Sequence, residues 1–220
     1  SNSEFWDFYL NSSDASELLK FNIKEKDKIR IFKKYVTVIN LELSSFCNRK
    51  CDYCPVSNLE KKTKEYLSKD IFTLLMKQLK HINFSGIITM NLFNEPLSNP
   101  DFFVDRLKKI KLACPYSYVR INTNGDYLDE SILNRIREAG INEILLTLHT
   151  IKGEEYSDDL QKKKLLTKID SLGLTKFADL KRIEKNKNIT FECILDNLRI
   201  LLVSNNWSLY GVDRGGTIAK

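Results

Sequence analysis

Cys47, Cys51 and Cys54 stand within eight residues in the stretch Cys47-Asn48-Arg49-Lys50-Cys51-Asp52-Tyr53-Cys54-Pro55. Cysteine thiolates are soft ligands, suited to an iron–sulfur cluster or to zinc. A structural zinc site normally takes a fourth protein donor, and this stretch supplies only three. Three thiolates could instead hold three irons of a four-iron cluster, leaving the last iron open to a ligand that is not protein. A catalytic zinc site also keeps an open position, so the count alone leaves zinc in play.

Such a loop needs a platform. Tyr35 to Leu43 is rich in β-branched residues and is expected to form a strand. It delivers Ser44, Ser45 and the thiols at its C-terminal end, where α/β sheets and barrels gather their ligands. Further strands are expected at Ile87 to Phe93, Tyr118 to Asn122 and Ile144 to Leu148. Helices are expected at Ser68 to Leu79, Asp101 to Lys111 and Asp129 to Ala139. In the first of these Ser68 is the N-cap and Ile71, Leu74, Leu75 and Leu79 share the apolar face. Gly140 ends the third. Residues 155 to 172 read as helical in two parts, closed by Gly173, and Ile189 to Leu195 and Leu198 to Val203 as further short elements. Lys24 to Lys34 reads as a solvated connection. The alternation of strand and helix predicts parallel strands joined by right-handed crossovers.

The order Cys-x3-Cys-x2-Cys, with Tyr53 directly before the last cysteine, resembles the cluster motif of the radical S-adenosylmethionine (SAM) enzymes. That resemblance implies an α/β fold, a partial (β/α)6-type radical SAM barrel with parallel strands. It implies a [4Fe-4S] cluster on Cys47, Cys51 and Cys54, with SAM on the open iron. Tyr53 would then pack against the cluster or the adenine. Leu92-Phe93-Asn94-Glu95-Pro96-Leu97 resembles the family's Gly-Gly-Glu-Pro element, with Phe93 and Asn94 in place of the glycines. By position Asn94 and Glu95 become contacts for the SAM amino group, where a carboxylate beside an ammonium fixes orientation; the alternative is that the pair caps the following turn. Asn122-Thr123-Asn124-Gly125 resembles the Thr-Asn-Gly element near the SAM site and nominates Asn122 and Asn124. Alone it is a turn signal. Thr147 and His149 close the fourth strand, where relatives place a polar SAM contact; His149 faces substrate or SAM, or is a structural residue. Arg120 is expected to pair with Glu95 or with a SAM carboxylate.

The tail Tyr210 to Ile218 resembles the Arg-Gly-Gly segment that precedes the auxiliary-cluster region of SPASM and twitch members. No cysteine follows it before Lys220, so residues 205–220 read as the start of an extension that is cut short or absent. Residues 1–34 read as a helical lead-in and 35–204 as the core. The resemblance further implies reductive SAM cleavage and hydrogen abstraction from a small polar or sugar-like substrate, giving dehydrogenation or epimerisation. A peptide substrate is the alternative, and a non-catalytic zinc module the third. A flavodoxin- or ferredoxin-like electron donor follows from the cluster.

Composition sets the outer bounds. A chain of 220 residues can bury a substantial core. The formal charge of +6 is spread between interspersed signs, so an ordinary solvated surface is expected and nucleic acid is not required. Five cysteines, three of them clustered, do not make a secreted disulfide framework. Cys114 and Cys193 read as isolated buried thiols. With no apolar span of membrane length and no signal-peptide pattern, a cytoplasmic location is expected.

Overall fold

The computed structural model describes residues 24–51, 54, 64–148 and 155–207. Tyr53, His149 and the tail from 208 onward lie outside the described residues, as does the aromatic cluster near the N-terminus. The backbone falls into two compact units, Ser1–Val38 and Ile39–Lys220.

In the first unit, α1 spans Glu25–Tyr35, where a connection is expected from sequence. Glu25 and Asp27 in its first turn and Lys33 and Lys34 in its last complement the helix dipole. No residue of α1 is buried, so charge placement substitutes for the apolar stripe that sequence reading looks for.

The second unit is built on a seven-stranded sheet in the order β1-β2-β3-β4-β7-β6-β5. Its strands are β1 (Val38–Asn40), β2 (Ile87–Thr89), β3 (Tyr118–Thr123), β4 (Glu143–Leu148), β5 (Ala178–Glu184), β6 (Asn188–Leu195) and β7 (Leu198–Asn205). Pairs β2–β3, β3–β4 and β4–β7 are parallel. The β5–β6 and β6–β7 pairs are antiparallel, a departure from the parallel expectation at that edge. Two tight turns cause it. Leu195 pairs with Leu198 across Asp196-Asn197, with Asp196 in the left-handed region, as a two-residue hairpin requires. Asn186 takes the same conformation between β5 and β6. The α/β class with a mostly parallel sheet stands, in keeping with a partial radical SAM barrel.

The helices are α2 (Lys69–His81), α3 (Pro100–Ala113), α4 (Glu130–Glu138) and α5 (Asp158–Ser171). Ser68, Asn99 and Asp129 each cap the following helix by accepting a backbone N–H, at 3.2, 3.1 and 2.7 Å respectively. The buried stripe of α2 is Phe72, Met76 and Leu79, while Ile71 and Leu74 are 60% and 56% exposed. Both sets have helical spacing, so periodicity permits either, and the larger aromatic ring takes the core. Residues 155 to 172 hold one helix rather than two, and Gly173 ends it with φ +68. The strands expected at Tyr35 to Leu43 and Ile87 to Phe93 shrink to β1 and β2, because the flanking residues become the helix and loops that carry the site.

Alternate residues of the sheet, including Ile88, Val119, Ile121, Ile144, Leu146, Ile200 and Leu202, are fully buried. The opposite face carries a row of charges beside apolar Leu145, Leu201 and Val203. Along it Arg120 meets Thr89 Oγ1 at 3.0 Å and Glu143 at 4.0 Å. Arg199 binds Glu143 at 3.1 Å and Glu192 at 2.7 Å, and Lys181 reaches Glu192 at 3.3 Å. One row of alternating charge thus crosses β3, β4, β7, β6 and β5. Arg120 spends itself there and does not pair with Glu95.

Candidate cofactor site

The thiol loop is pinched at its neck. Ser44 and Tyr66 form an antiparallel bridge, Ser45 N–H donates to the Glu65 carbonyl, and Leu67 N–H donates to the Leu43 carbonyl, both at 2.9 Å. Lys64 lies over the Phe46 ring at 4.6 Å. Cys54 N–H turns back on the Cys51 carbonyl at 2.9 Å. Cys47, Cys51 and Cys54 are all free thiols and part-buried. Burial is the main cause pushing the Cys47 thiol up, eased by the Arg49 N–H and raised further by Glu95, Cys51 and Cys54. The thiols and Glu95 therefore share one electrostatic neighbourhood. Among the described residues, no three His, Cys, Asp or Glu side chains converge as a formed metal cage.

Glu95 ties this loop to the sheet. Its N–H donates to the Phe46 carbonyl at 2.9 Å, one residue before Cys47. Its carboxylate, 2% exposed, accepts from Thr123 Oγ1 at 2.6 Å, Asn124 N–H at 2.8 Å and Leu97 N–H at 3.1 Å. The last of these caps the short 3-10 turn Pro96–Ser98, so the capping role expected as an alternative for Glu95 is present. Burial pushes the Glu95 carboxyl up, against the pull of its three donors. Asn94 is buried, with its side-chain nitrogen 3.3 Å from Ser44 Oγ and its Oδ1 without a partner. An orphaned buried acceptor beside the thiol loop is the kind of group that a bound ligand satisfies.

The turn after β3 supplies the other side. Asn124 is buried and its side-chain nitrogen donates to Asn48 Oδ1 at 2.8 Å. Its own Oδ1 accepts Asp126 N–H at 2.9 Å. Asn122 is exposed on the face with the charged row, and its N–H donates to Asn91 Oδ1 at 2.8 Å. Thr147 sits near the end of β4, paired with Val203 and part-buried. Asn94, Glu95 and Asn124 thus gather at the thiol loop. Asn122 and Thr147 instead make their contacts within the sheet, to Asn91 and Val203.

Sequence reading missed Arg49 and Asp126. Arg49 makes a two-pronged ion pair with Asp126, one arm at 2.7 Å, and Asn48 donates to the same carboxylate at 2.7 Å. The signal was an arginine inside the Cys-x3-Cys segment and an acid directly after Asn-Gly. Opposite charges that far apart in sequence show their partnership only in space.

A sheet whose strand ends carry a part-buried three-thiol loop beside a buried carboxylate offers donor types that suit a soft metal. The radical SAM superfamily model matches residues 41–210, and the chain belongs to that family. The residues present suit the family's [4Fe-4S] cluster and SAM in donor type, and in the orphaned Asn94 acceptor. S-adenosyl-L-methionine-dependent 2-deoxy-scyllo-inosamine dehydrogenase from Niallia circulans is 36% identical over 119 residues, 53% of this chain and 46% of the relative. GTP 3',8-cyclase from Chlorobaculum tepidum is 30% identical over 131 residues, 57% of this chain and 37% of the relative. The structure of BtrN in complex with AdoMet and 2-DOIA matches with 28% identity and TM-score 0.49, covering 61% of this chain and 54% of that one. The chain spans less than half the length of these two curated relatives. No helix among the described residues is long and apolar enough to cross a membrane.

Proposed function

We propose that this chain carries the core of a radical SAM oxidoreductase that dehydrogenates a small, polar, sugar-like substrate. The observation that carries the reading is the 36% identity over 119 residues to a relative named as a SAM-dependent inosamine dehydrogenase.

In this reading Cys47, Cys51 and Cys54 hold the [4Fe-4S] cluster. With both cofactors bound, the chemistry supplied is reductive cleavage of SAM to methionine and a 5′-deoxyadenosyl radical that takes a hydrogen atom from substrate. The protein's residues bind and orient. Asn94 offers its unpartnered Oδ1 to the SAM ammonium. Glu95 sets the spacing between the thiol loop and β3 through its three donors, and adds negative charge beside that ammonium. Asn124 holds Asn48 and orders the same corner, while Asn122 and Thr147 are assigned to SAM through their places at the strand ends. Tyr53 and His149 belong to the same assignment through their positions in the chain. An electron donor of the flavodoxin or ferredoxin type completes the system.

Anaerobic reconstitution tests this. About four irons per chain and dithionite-dependent 5′-deoxyadenosine are expected, with both lost in Cys51→Ala. Deuterium should pass into 5′-deoxyadenosine from ring-deuterated amino-sugars or cyclitols. Zinc alone with no SAM cleavage overturns the cofactor assignment. Transfer only from a peptide overturns the substrate class.

A further inference from the structure

Arg49 lies two residues after Cys47 and two before Cys51, and its side chain reaches the turn after β3. There it meets Asp126 with two nitrogens, one at 2.7 Å, while Asn48 donates to the same carboxylate at 2.7 Å. Asp126 is itself held from two directions. Its N–H donates to Asn124 Oδ1 at 2.9 Å. Lys168 of α5 donates to the carbonyls of Gly125 at 2.8 Å and Leu128 at 2.7 Å, fixing the turn from below. A bidentate arginine–carboxylate pair adds geometric definition as well as energy. The pair is about one-third exposed, with Arg49 at 27% and Asp126 at 35%, so solvent screens it only in part.

We propose that Asp126 is a positioning residue for the thiol loop, acting through Arg49, and that this pair sets the charge felt at the thiols. The inference rests on the assignment of Cys47, Cys51 and Cys54 as cluster ligands. Among the described residues, the neck at 43–45 and 65–67 closes the loop at its base. The Arg49–Asp126 clasp joins the middle of the Cys-x3-Cys segment to a turn braced by α5. Arg49 stands two residues from each of Cys47 and Cys51, and its guanidinium is paired with the Asp126 carboxylate. Outer partners of this kind typically change metal affinity by about 10- to 100-fold when removed. Net charge near an iron–sulfur cluster also moves its potential.

Two measurements on the full chain decide the matter. In the metal-free protein, alkylation of each cysteine by iodoacetamide is followed by mass spectrometry. Asp126→Ala removes both Arg49 bonds and the Asn48 bond and should speed modification of Cys51 by roughly ten-fold or more, and Asp126→Glu should recover part of the protection. Equal rates in wild type and Asp126→Ala overturn the clasp, whether or not a cluster can be loaded. In the reconstituted protein, Arg49→Gln removes a positive charge and should lower the cluster potential. Asp126→Asn keeps the shape, unmasks Arg49 and should raise it. Shifts of opposite sign are a signature that packing alone does not produce; equal or absent shifts overturn the electrostatic half. Failure of the wild type to take up iron would instead strike the cofactor assignment, leaving the alkylation result to judge the clasp.

Discussion

Thr123 Oγ1 donates to Glu95 Oε1 at 2.6 Å, so the last residue of β3 and the loop after β2 share one buried carboxylate. That carboxylate also accepts two backbone N–H groups, and the Glu95 N–H ends on Phe46 beside the first thiol. One residue, through its side chain and its backbone N–H, therefore joins three segments far apart in sequence. Glu95→Gln turns an acceptor into a donor facing a donor, and should cost about 1 to 3 kcal/mol in urea unfolding. Unchanged stability would argue that the three bonds are not maintained together.

The same residue makes a prediction in pH. Burial raises the Glu95 carboxyl above its ordinary 4.5. Between the unfolded and folded values the folded state binds more protons, so this group's contribution to stability falls as pH rises through that window. The fall should be absent from Glu95→Gln. Urea midpoints from about pH 4 to about pH 7 compare the two proteins.

Gly125 adopts φ +76 between Asn124 and Asp126, and a Cβ there would lie 3.0 Å from Leu146 Cγ. Gly125→Ala should cost about 1 to 2 kcal/mol, the left-handed conformation supplying most of it. Because the turn carries both Asn124 and Asp126, thiol protection should fall together with stability. A substitution that lowers stability without exposing Cys51 would separate the turn from the loop.

Arg106 is 6% exposed, stacked 4.3 Å from the Phe72 ring centroid and 4.8 Å from that of Phe102, with Nε lacking a partner. A buried cation with incomplete hydrogen bonding is often replaceable by an apolar side chain of similar length. Arg106→Met should be neutral or stabilising by about 1 kcal/mol, whereas Arg106→Ala should destabilise by about 3 kcal/mol through the gap between the rings. Equal losses in both would show the charge itself to be needed.

Cys193 is fully buried on β6, and burial pushes its thiol from 9.0 up to about 11. Its neutral form is the native one, so it favours folding below pH 9.0 and loses that contribution as pH rises toward 11. Alkylation of Cys193 should track global unfolding in denaturant, while the part-buried Cys47 reacts in native buffer. Similar native rates for the two would mean that β6 opens locally.

What local chemistry encodes was legible without the fold. The thiol spacing, the cap at Ser68, and the glycine stops at Gly140 and Gly173 each depend on residues a few positions apart. β5 and the antiparallel edge were not legible as such, since Lys181, Arg182 and Glu184 carry charges on a strand whose pairing, not its polarity, keeps it in the sheet. Nor did helical spacing choose between Phe72 and Ile71 for the core. By itself the sequence determined the spacing of the three thiols and the family the chain belongs to. Only the tertiary structure decided that Arg120 serves the sheet row, that Glu95 binds Thr123 and that Arg49 closes on Asp126. Those partnerships span 23, 28 and 77 residues respectively, and such distances are set by packing rather than by any local preference of the chain.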